Sequence, residues 1–274
     1  MKKFIRFEES RPAAVREVLA ESPVAYVPFG ALEWHGEHGP LGLDGLKAHA
    51  LCLLAAEQTG GVVFPPMFWG AFDTVPFPFT FHFKKARLKG QIRETLDQLR
   101  GFGFQVMVLL TGHYPPSLVK LLKKECRRFS KKSGAWAIGV PEQVFATDLD
   151  YFGDHAGMWE SSIMLALRPE LLDLSAMPAG LTTLERLKQY CVMGQDPTTQ
   201  ASAEKGQQAI AQIVKNLAKV VERTLEEKSD RALEEVYASY NRALRPSRRL
   251  VREALDVHSL KELIQYGWWT WRNL

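Results

Sequence analysis

The chain has 274 residues, a formal charge of +4, and hydrophobic and charged fractions of 46% and 24%, which is the profile of an ordinary globular protein with one large α/β core or two small ones. So small a charge argues against a nucleic-acid binder, and no apolar run approaches the ~18 residues of a membrane span. Met1–Glu9 holds no apolar stretch of signal-peptide length, and Cys52, Cys126 and Cys191 are far apart with no CxxC pair; both features fit a reducing compartment, and a cytoplasmic protein is expected.

Short β-rich runs alternate with helical ones along the first two thirds of the chain. Val24–Pro28 reads as a buried strand, followed by a Gly-rich loop and a helix from about Leu46 to Glu57. Gly61–Phe64 is a second strand, stopped by Pro65-Pro66. Gly90–Arg100 is a helix with Ile92, Leu96 and Leu99 on one side, and Gln105–Leu110 has the continuous apolar character of a strand buried on both faces. A helix over Pro116–Phe129, a strand over Ala135–Val140 and a helix from Glu160 to Leu167 follow. This alternation predicts an α/β fold with a mostly parallel sheet flanked by helices on both faces. Beyond about Leu181 the strand signal stops, and Ala201–Lys228 and Arg231–Ala243 read as helices. The basic segments Lys120–Lys132 and Arg242–Arg252 carry apolar residues at helical spacing and read as solvated helix faces. The tail holds Trp268, Trp269 and Trp271, which are costly to leave in water and should pack on the body or on another subunit.

In sheets of this kind ligands bind beyond the carboxyl ends of the strands, and the loops there are chemically dense. The loop after the first predicted strand, Gly30 to Asp44, holds Glu33, His35, Glu37, His38 and Asp44 among several glycines. Imidazole and carboxylate together suit zinc, manganese or iron, and glycine lets the backbone fold closely around an ion. Glu33 and His35 are two apart and face the same side of an extended segment. Asp44 could reach the same ion and, with two oxygens, bridge two; it could instead simply cap the following helix. Thr111-Gly112-His113 follows the third strand, and Asp154-His155-Ala156-Gly157-Met158-Trp159-Glu160-Ser161-Ser162 leads from a loop into an apolar helix. Each segment alone is a weak signal; a lone loop histidine is more often a hydrogen-bonded surface residue than a ligand.

Together these segments resemble the creatininase (creatinine amidohydrolase) family. That family's Gly-x-x-Glu-Gln-His-Gly-x-His signature with a later Asp stands here as Gly30 to His38 and Asp44. Its Asn-Gly-His stands as Thr111-Gly112-His113, and its His-(Ala/Gly)-Gly-x-x-Glu-Thr-Ser as His155 to Ser162. Gln195-Asp196-Pro197 and Ala201 to Gly206 match two later patterns, so the resemblance runs over roughly residues 20 to 225. It implies a three-layer α/β/α hydrolase domain over residues 1–228 and leaves 229–274 as a helical C-terminal extension, packed on the same domain or on a neighbouring subunit.

The resemblance also implies a divalent metal site, two ions per chain, with Glu33, Asp44 and His113 holding one and His35 and Asp44 the other. The Glu that completes the second set in creatininase falls on Pro115 here, and Glu160 is the nearest substitute by motif. Thr111 for Asn and Trp34 for Gln are further departures. On this reading His155 moves a proton to the leaving nitrogen, Glu160 ligates the second ion or orients the attacking water, and Tyr114, Trp159 and Asp154 contact substrate. The aromatic run Phe77–Phe83, with Trp69 and Phe72, would line the pocket, and His38 would either steady a ligand or tie the loop. The expected activity is hydrolysis of a cyclic amide or another small non-peptide C–N bond of a small-molecule substrate. Formamide hydrolysis, peptide maturation and a non-catalytic metal-binding role are the alternatives. The resemblance implies a homo-oligomer, commonly a hexamer.

Overall fold

The computed structural model describes residues 2–68, 72–74, 76–245 and 248–273, with the backbone alone for 248–250. Five parallel strands form one sheet in the order β1-β3-β2-β4-β5: β1 (Phe4–Arg6), β2 (Val24–Phe29), β3 (Gly61–Val63), β4 (Val106–Thr111) and β5 (Trp136–Pro141). The helices are α1 (Pro12–Glu21), α2 (Leu43–Thr59), α3 (Lys85–Phe102), α4 (Pro116–Ser133), α5 (Met158–Leu167), α6 (Thr183–Tyr190), the single turn α7 (Pro197–Gln200), α8 (Ala203–Glu227), α9 (Arg231–Ala243), α10 (Arg248–Leu255) and α11 (Leu260–Asn273).

Strand side chains alternate between two apolar layers, as the pleat requires. Val24 and Tyr26 of β2 and Val106, Val108 and Leu110 of β4 pack with Leu51, Cys52 and Ala55 of α2 and with Ile213 and Leu217 of α8. The intervening Ala25, Val27, Phe29, Met107 and Leu109 pack with Leu88, Ile92 and Leu96 of α3 and with Leu118 and Leu122 of α4. Central strands covered on both faces must be apolar at every position, and both β2 and β4 are buried throughout. The three-layer α/β/α arrangement expected from the alternation is therefore the one formed.

The strands at 24–29, 61–63, 106–111 and 136–141 and the helices between them match the sequence reading to within a few residues. The short edge strand β1 and helix α1 were not foreseen. β1 has only three residues, too few to show a periodicity, and pairs with β3 through Phe4–Gly61 to Arg6–Val63. Helix α2 starts at Leu43, earlier than expected, so Asp44 lies in its first turn and Gly42, not Asp44, is its N-cap. All three cysteines are free and buried, and among the described residues no helix is long and apolar enough to cross a membrane.

The extension packs on the body. Leu233, Tyr237 and Tyr240 of α9 join the same apolar layer as α2 and α8. Tyr266, Trp269 and Leu263 of α11 and Leu255 and Val257 pack on Leu184 and Leu187 of α6. Of the tail tryptophans, Trp269 is drawn in against Phe77, with ring centroids 6.3 Å apart, while Trp268 and Trp271 remain 57% and 81% exposed.

Candidate metal centre

β2 and β4 are neighbours in the sheet, in register from Val24–Val106 to Phe29–Thr111, so their carboxyl ends open side by side. The connection from β2 leads to β3 on one side, whereas β4 leads to β5 on the other. This is a topological switch point, where an α/β sheet leaves a crevice. The start of α2 is wedged between the two loops. A Cβ on Gly30 would collide with the backbone of Gly45, and one on Gly112 with the Asp44 carbonyl. Glycine at both positions therefore lets Asp44 sit between the β2 loop, which bears Glu33 and His35, and the β4 loop, which bears His113.

The six candidate side chains converge. Glu33, His35, Asp44 and Glu160 are at most 2% exposed, and His113 is 6% exposed. His113 Nδ1 lies 2.7 Å from Glu33 Oε1 and 3.2 Å from Asp44 Oδ2. His35 Nε2 lies 3.2 Å from Asp44 Oδ1 and 3.7 Å from Glu160 Oε2. His155 Nδ1 is 3.8 Å from Glu33 Oε1. Within each of the groups Glu33–Asp44–His113, His35–Asp44–Glu160 and Glu33–His35–His155, the ligand atoms lie within 4.8 Å of one another.

The far side of each imidazole fixes its tautomer. His35 Nδ1 faces the Glu33 carbonyl at 2.9 Å, His155 Nε2 the Trp34 carbonyl at 2.8 Å and His113 Nε2 the Phe72 carbonyl at 3.4 Å. A carbonyl only accepts, so in each neutral ring that nitrogen carries the proton, and the lone pair of the other is turned to the carboxylates. Glu33 Oε1, though so near His113, makes no hydrogen bond and is buried. Once deprotonated, the imidazole lone pairs and the buried carboxylate oxygens face a common point that a cation satisfies, and without a cation a proton takes that place. The residues present fit a divalent metal of the zinc, manganese or iron type on this ground as well as by donor chemistry.

The electrostatics agree. Burial pulls His35 down, but the charge and hydrogen bond of Asp44, with Glu160 and Glu33, outweigh it and raise the imidazole to about 9. His113 is likewise depressed by burial and carried well above its ordinary value by Glu33 and Asp44. His155 behaves oppositely, because burial and the nearby His35 push it down and keep it neutral. Two histidines thus hold protons where a cation would sit, while the third offers a free base.

Beneath the ligands lies a network that sequence reading missed. Lys47 Nζ, wholly buried, lies 2.8 Å from Glu160 Oε1 and 2.6 Å from Glu142 Oε1. Tyr114 donates its hydroxyl to Glu160 Oε1 at 2.7 Å, and Tyr151 donates to Glu142 Oε1 at 3.0 Å. The Ala156 amide donates to Glu160 Oε2 at 2.7 Å, which turns this oxygen towards His35. The faint signal was a lysine inside an otherwise apolar helical stretch, three residues after Asp44.

Other expected contacts are placed as follows. Asp154 lines the cavity over the ligands, but its oxygens accept from the Trp159 and Glu160 amides at 2.7 and 3.3 Å and hold the start of α5. Burial and the Glu160 charge raise its carboxyl to about 8. Tyr114 also lines the cavity, whereas Trp159 packs against Tyr151 in the core. His38 faces the Ala156 carbonyl at 3.0 Å and Ser161 Oγ at 3.2 Å, so it ties the β2 loop to the 155–161 segment. The run Phe77–Phe83 is absent from the described lining of that cavity. Phe77 and Phe79 stack on Trp34, while Phe79 and Phe81 are largely exposed. Phe72 is buried among α3 and strand residues, and Trp69 lies outside the described residues.

Comparison with known proteins accords with this geometry. The chain is 30% identical over 183 residues to the creatinine amidohydrolase of Pseudomonas putida, covering 57% of this chain and 69% of that protein. It is 26% identical over 228 residues to the mycofactocin precursor peptide peptidase of Mycolicibacterium smegmatis, covering 76% and 88%. A crystal structure of creatininase superposes with a TM-score of 0.68 at 25% identity, covering 82% of this chain and 98% of that one. Two further creatininase structures, one named for Mn and one a mutant of Zn-Zn type, superpose at 0.65 and 0.64 with 25% and 26% identity, each covering 82% of this chain and 99% of its own. The family model for creatininase, described as creatinine amidohydrolase, matches residues 8–221, and the chain belongs to the creatininase family.

Proposed function

We propose that the protein is a metal-dependent amidohydrolase that cleaves a cyclic amide or another small non-peptide C–N bond with an activated water. The observation that carries this reading is the pair of ligand sets sharing Asp44: Glu33, Asp44 and His113 on one side, His35, Asp44 and Glu160 on the other. With Pro115 in the position of the family's glutamate, Glu160 Oε2 is the carboxylate oxygen that faces His35, which supports it as the replacement ligand of a second ion. Divalent ions bound there supply Lewis acidity and lower the pKa of water.

The chain's own residues do the rest. Glu33 and Asp44 place negative charge on the ion side, and Lys47 and Tyr114 hold Glu160 in one orientation. His155 keeps Nδ1 free because its Nε2 proton is given to the Trp34 carbonyl. That nitrogen, near Glu33, is placed to take a proton from water and pass it to the leaving nitrogen. The cavity above the ligands, about 450 Å³ in volume, suits a small-molecule substrate. The peptidase relative, matched over most of its length, favours a second reading in which the C–N bond lies in a small modified peptide.

The test is turnover by metal-loaded and chelator-stripped protein on creatinine, small lactams, formamides and short peptides. The proposal expects metal-dependent release of amine or acid from a non-peptide amide. Peptide cleavage alone favours the second reading, and bound metal with no turnover in any class favours a non-catalytic metal-binding protein. On α11, Leu260, Ile264, Trp268 and Trp271 form an exposed apolar stripe, which supports a homo-oligomer and is checked by light scattering.

A further inference from the structure

The cavity over the ligand set has two unlike walls. Glu33, Asp44, His113 and Glu160 line it on the ligand side, and Tyr240, Leu244, Val251, Ala254 and Leu255 line it from the extension. Every residue of this second wall comes from α9, α10 or their junction, beyond the 8–221 segment that matches the family model. The wall is anchored from both sides. The buried Arg186 guanidinium pairs with Asp256 and donates to the Leu181 carbonyl at 2.6 Å. Thr183 Oγ1 donates to the Asp256 carbonyl at 2.8 Å, and Gln195 Nε2 donates to Glu253 at 2.7 Å. Val251 and Leu255 pack on the cluster of Leu187, Val257 and Tyr266. A fixed apolar face held opposite a polar reaction centre is how a binding site sorts substrates by the group attached to the scissile bond. Among the described lining residues, those contributed by the extension are Tyr240 and the aliphatic Leu244, Val251, Ala254 and Leu255.

We infer that the C-terminal extension supplies the specificity wall of the active site, and that the substrate is an amide carrying an uncharged apolar group that packs against Leu244, Val251 and Leu255. The inference rests on the metal-centre reading proposed above and goes beyond it by naming the substrate class. Creatinine, which lacks such a group, is then a poor substrate.

The experiment uses the full chain loaded with zinc and a series of straight-chain hydroxamates from acetyl to hexanoyl, whose head groups bind metal while the tails sample the wall. Calorimetry gives each dissociation constant. Burial of a methylene is worth roughly fourfold in affinity, so hexanoyl should exceed acetyl by roughly a hundredfold or more. A carboxylate at the end of the tail should remove most of that gain. In Leu244→Asn and, separately, Val251→Asn, each checked for an unchanged melting profile, the hexanoyl-to-acetyl ratio should fall to roughly ten or less. Acetohydroxamate that binds with no gain along the series overturns the inference and leaves the metal centre standing. No binding of acetohydroxamate overturns the metal centre, and the inference falls with it.

Discussion

The side chains that face the metal position and those that surround them have different origins. Glu33, His35, Asp44 and His113 hang from loops at the ends of β2 and β4 and from the first turn of α2, where the sheet itself sets their separation. The surrounding shell is assembled from afar: Lys47 pairs with Glu142 and Glu160, and Tyr240, Leu244, Val251, Ala254 and Leu255 line the cavity from the extension. The candidate ligands are thus set by two neighbouring strand ends and one helix turn. Stability and selectivity are delegated to longer-range contacts, and substitutions in the two regions should fail in different ways.

The largest effect is expected on the ion-facing side. His113→Ala should abolish both metal content and turnover. His155→Ala should retain metal and lose about 10²–10⁴ in kcat, the usual contribution of a positioned proton-transfer group. Elemental analysis beside steady-state kinetics separates them, and equal metal loss in both would erase the division of roles. The underside should instead show itself in stability. Lys47→Met leaves Glu142 and Glu160 buried without their cation and should cost about 3–5 kcal/mol in denaturant unfolding. Adding Glu142→Gln should recover part of this, and full stability of the single variant would show that the network is not held by charge.

A third effect ties the two regions through pH. In metal-free protein His35 is raised to about 9 from the ordinary 6.5. A raised folded-state value stabilises below the unfolded value and is lost above it. The contribution is therefore complete below pH 6.5 and disappears as pH rises through about 9. Chelator-treated protein should lose on the order of 2–3 kcal/mol between pH 6.5 and 9.5 from this group, and His113 adds in the same direction. Metal displaces those protons, so the loaded protein should lack this decline. The smallest change is Tyr114→Phe, which removes one hydroxyl from Glu160 and should cost about 1–2 kcal/mol while leaving metal bound.

How far the site could be read in the sequence follows the same division. The central strands are continuous apolar runs, and residues 30–44, 111–113 and 155–160 are local clusters of rare composition, so both were legible. Glu33 and His35 were expected on one side from their spacing, and they do converge on Asp44. What sequence could not give is long-range pairing. Nothing local links Lys47 to Glu142, or Leu244 and Val251 to the cavity over His113, because these contacts exist only once α2, β5 and the extension are packed. The three-residue β1 carries too little pattern to read, and Phe77–Phe83 looked like a pocket lining because aromatic composition alone does not say which face is covered. Phe77 and Phe79 instead stack on Trp34.

The most direct test of a shared-carboxylate, two-ion centre is the number of metal equivalents retained per chain by wild type and by Glu160→Gln, purified and loaded alike. Glutamine can keep its carbonyl oxygen on Lys47 and Tyr114, while its NH2 group, which cannot accept from the Ala156 amide, replaces the charged oxygen that faces His35. Two equivalents falling to one is the predicted result, with the remaining ion on Glu33, Asp44 and His113. The same stoichiometry in both proteins would remove Glu160 from the ligand set, and no retained metal in wild type would contradict the centre altogether.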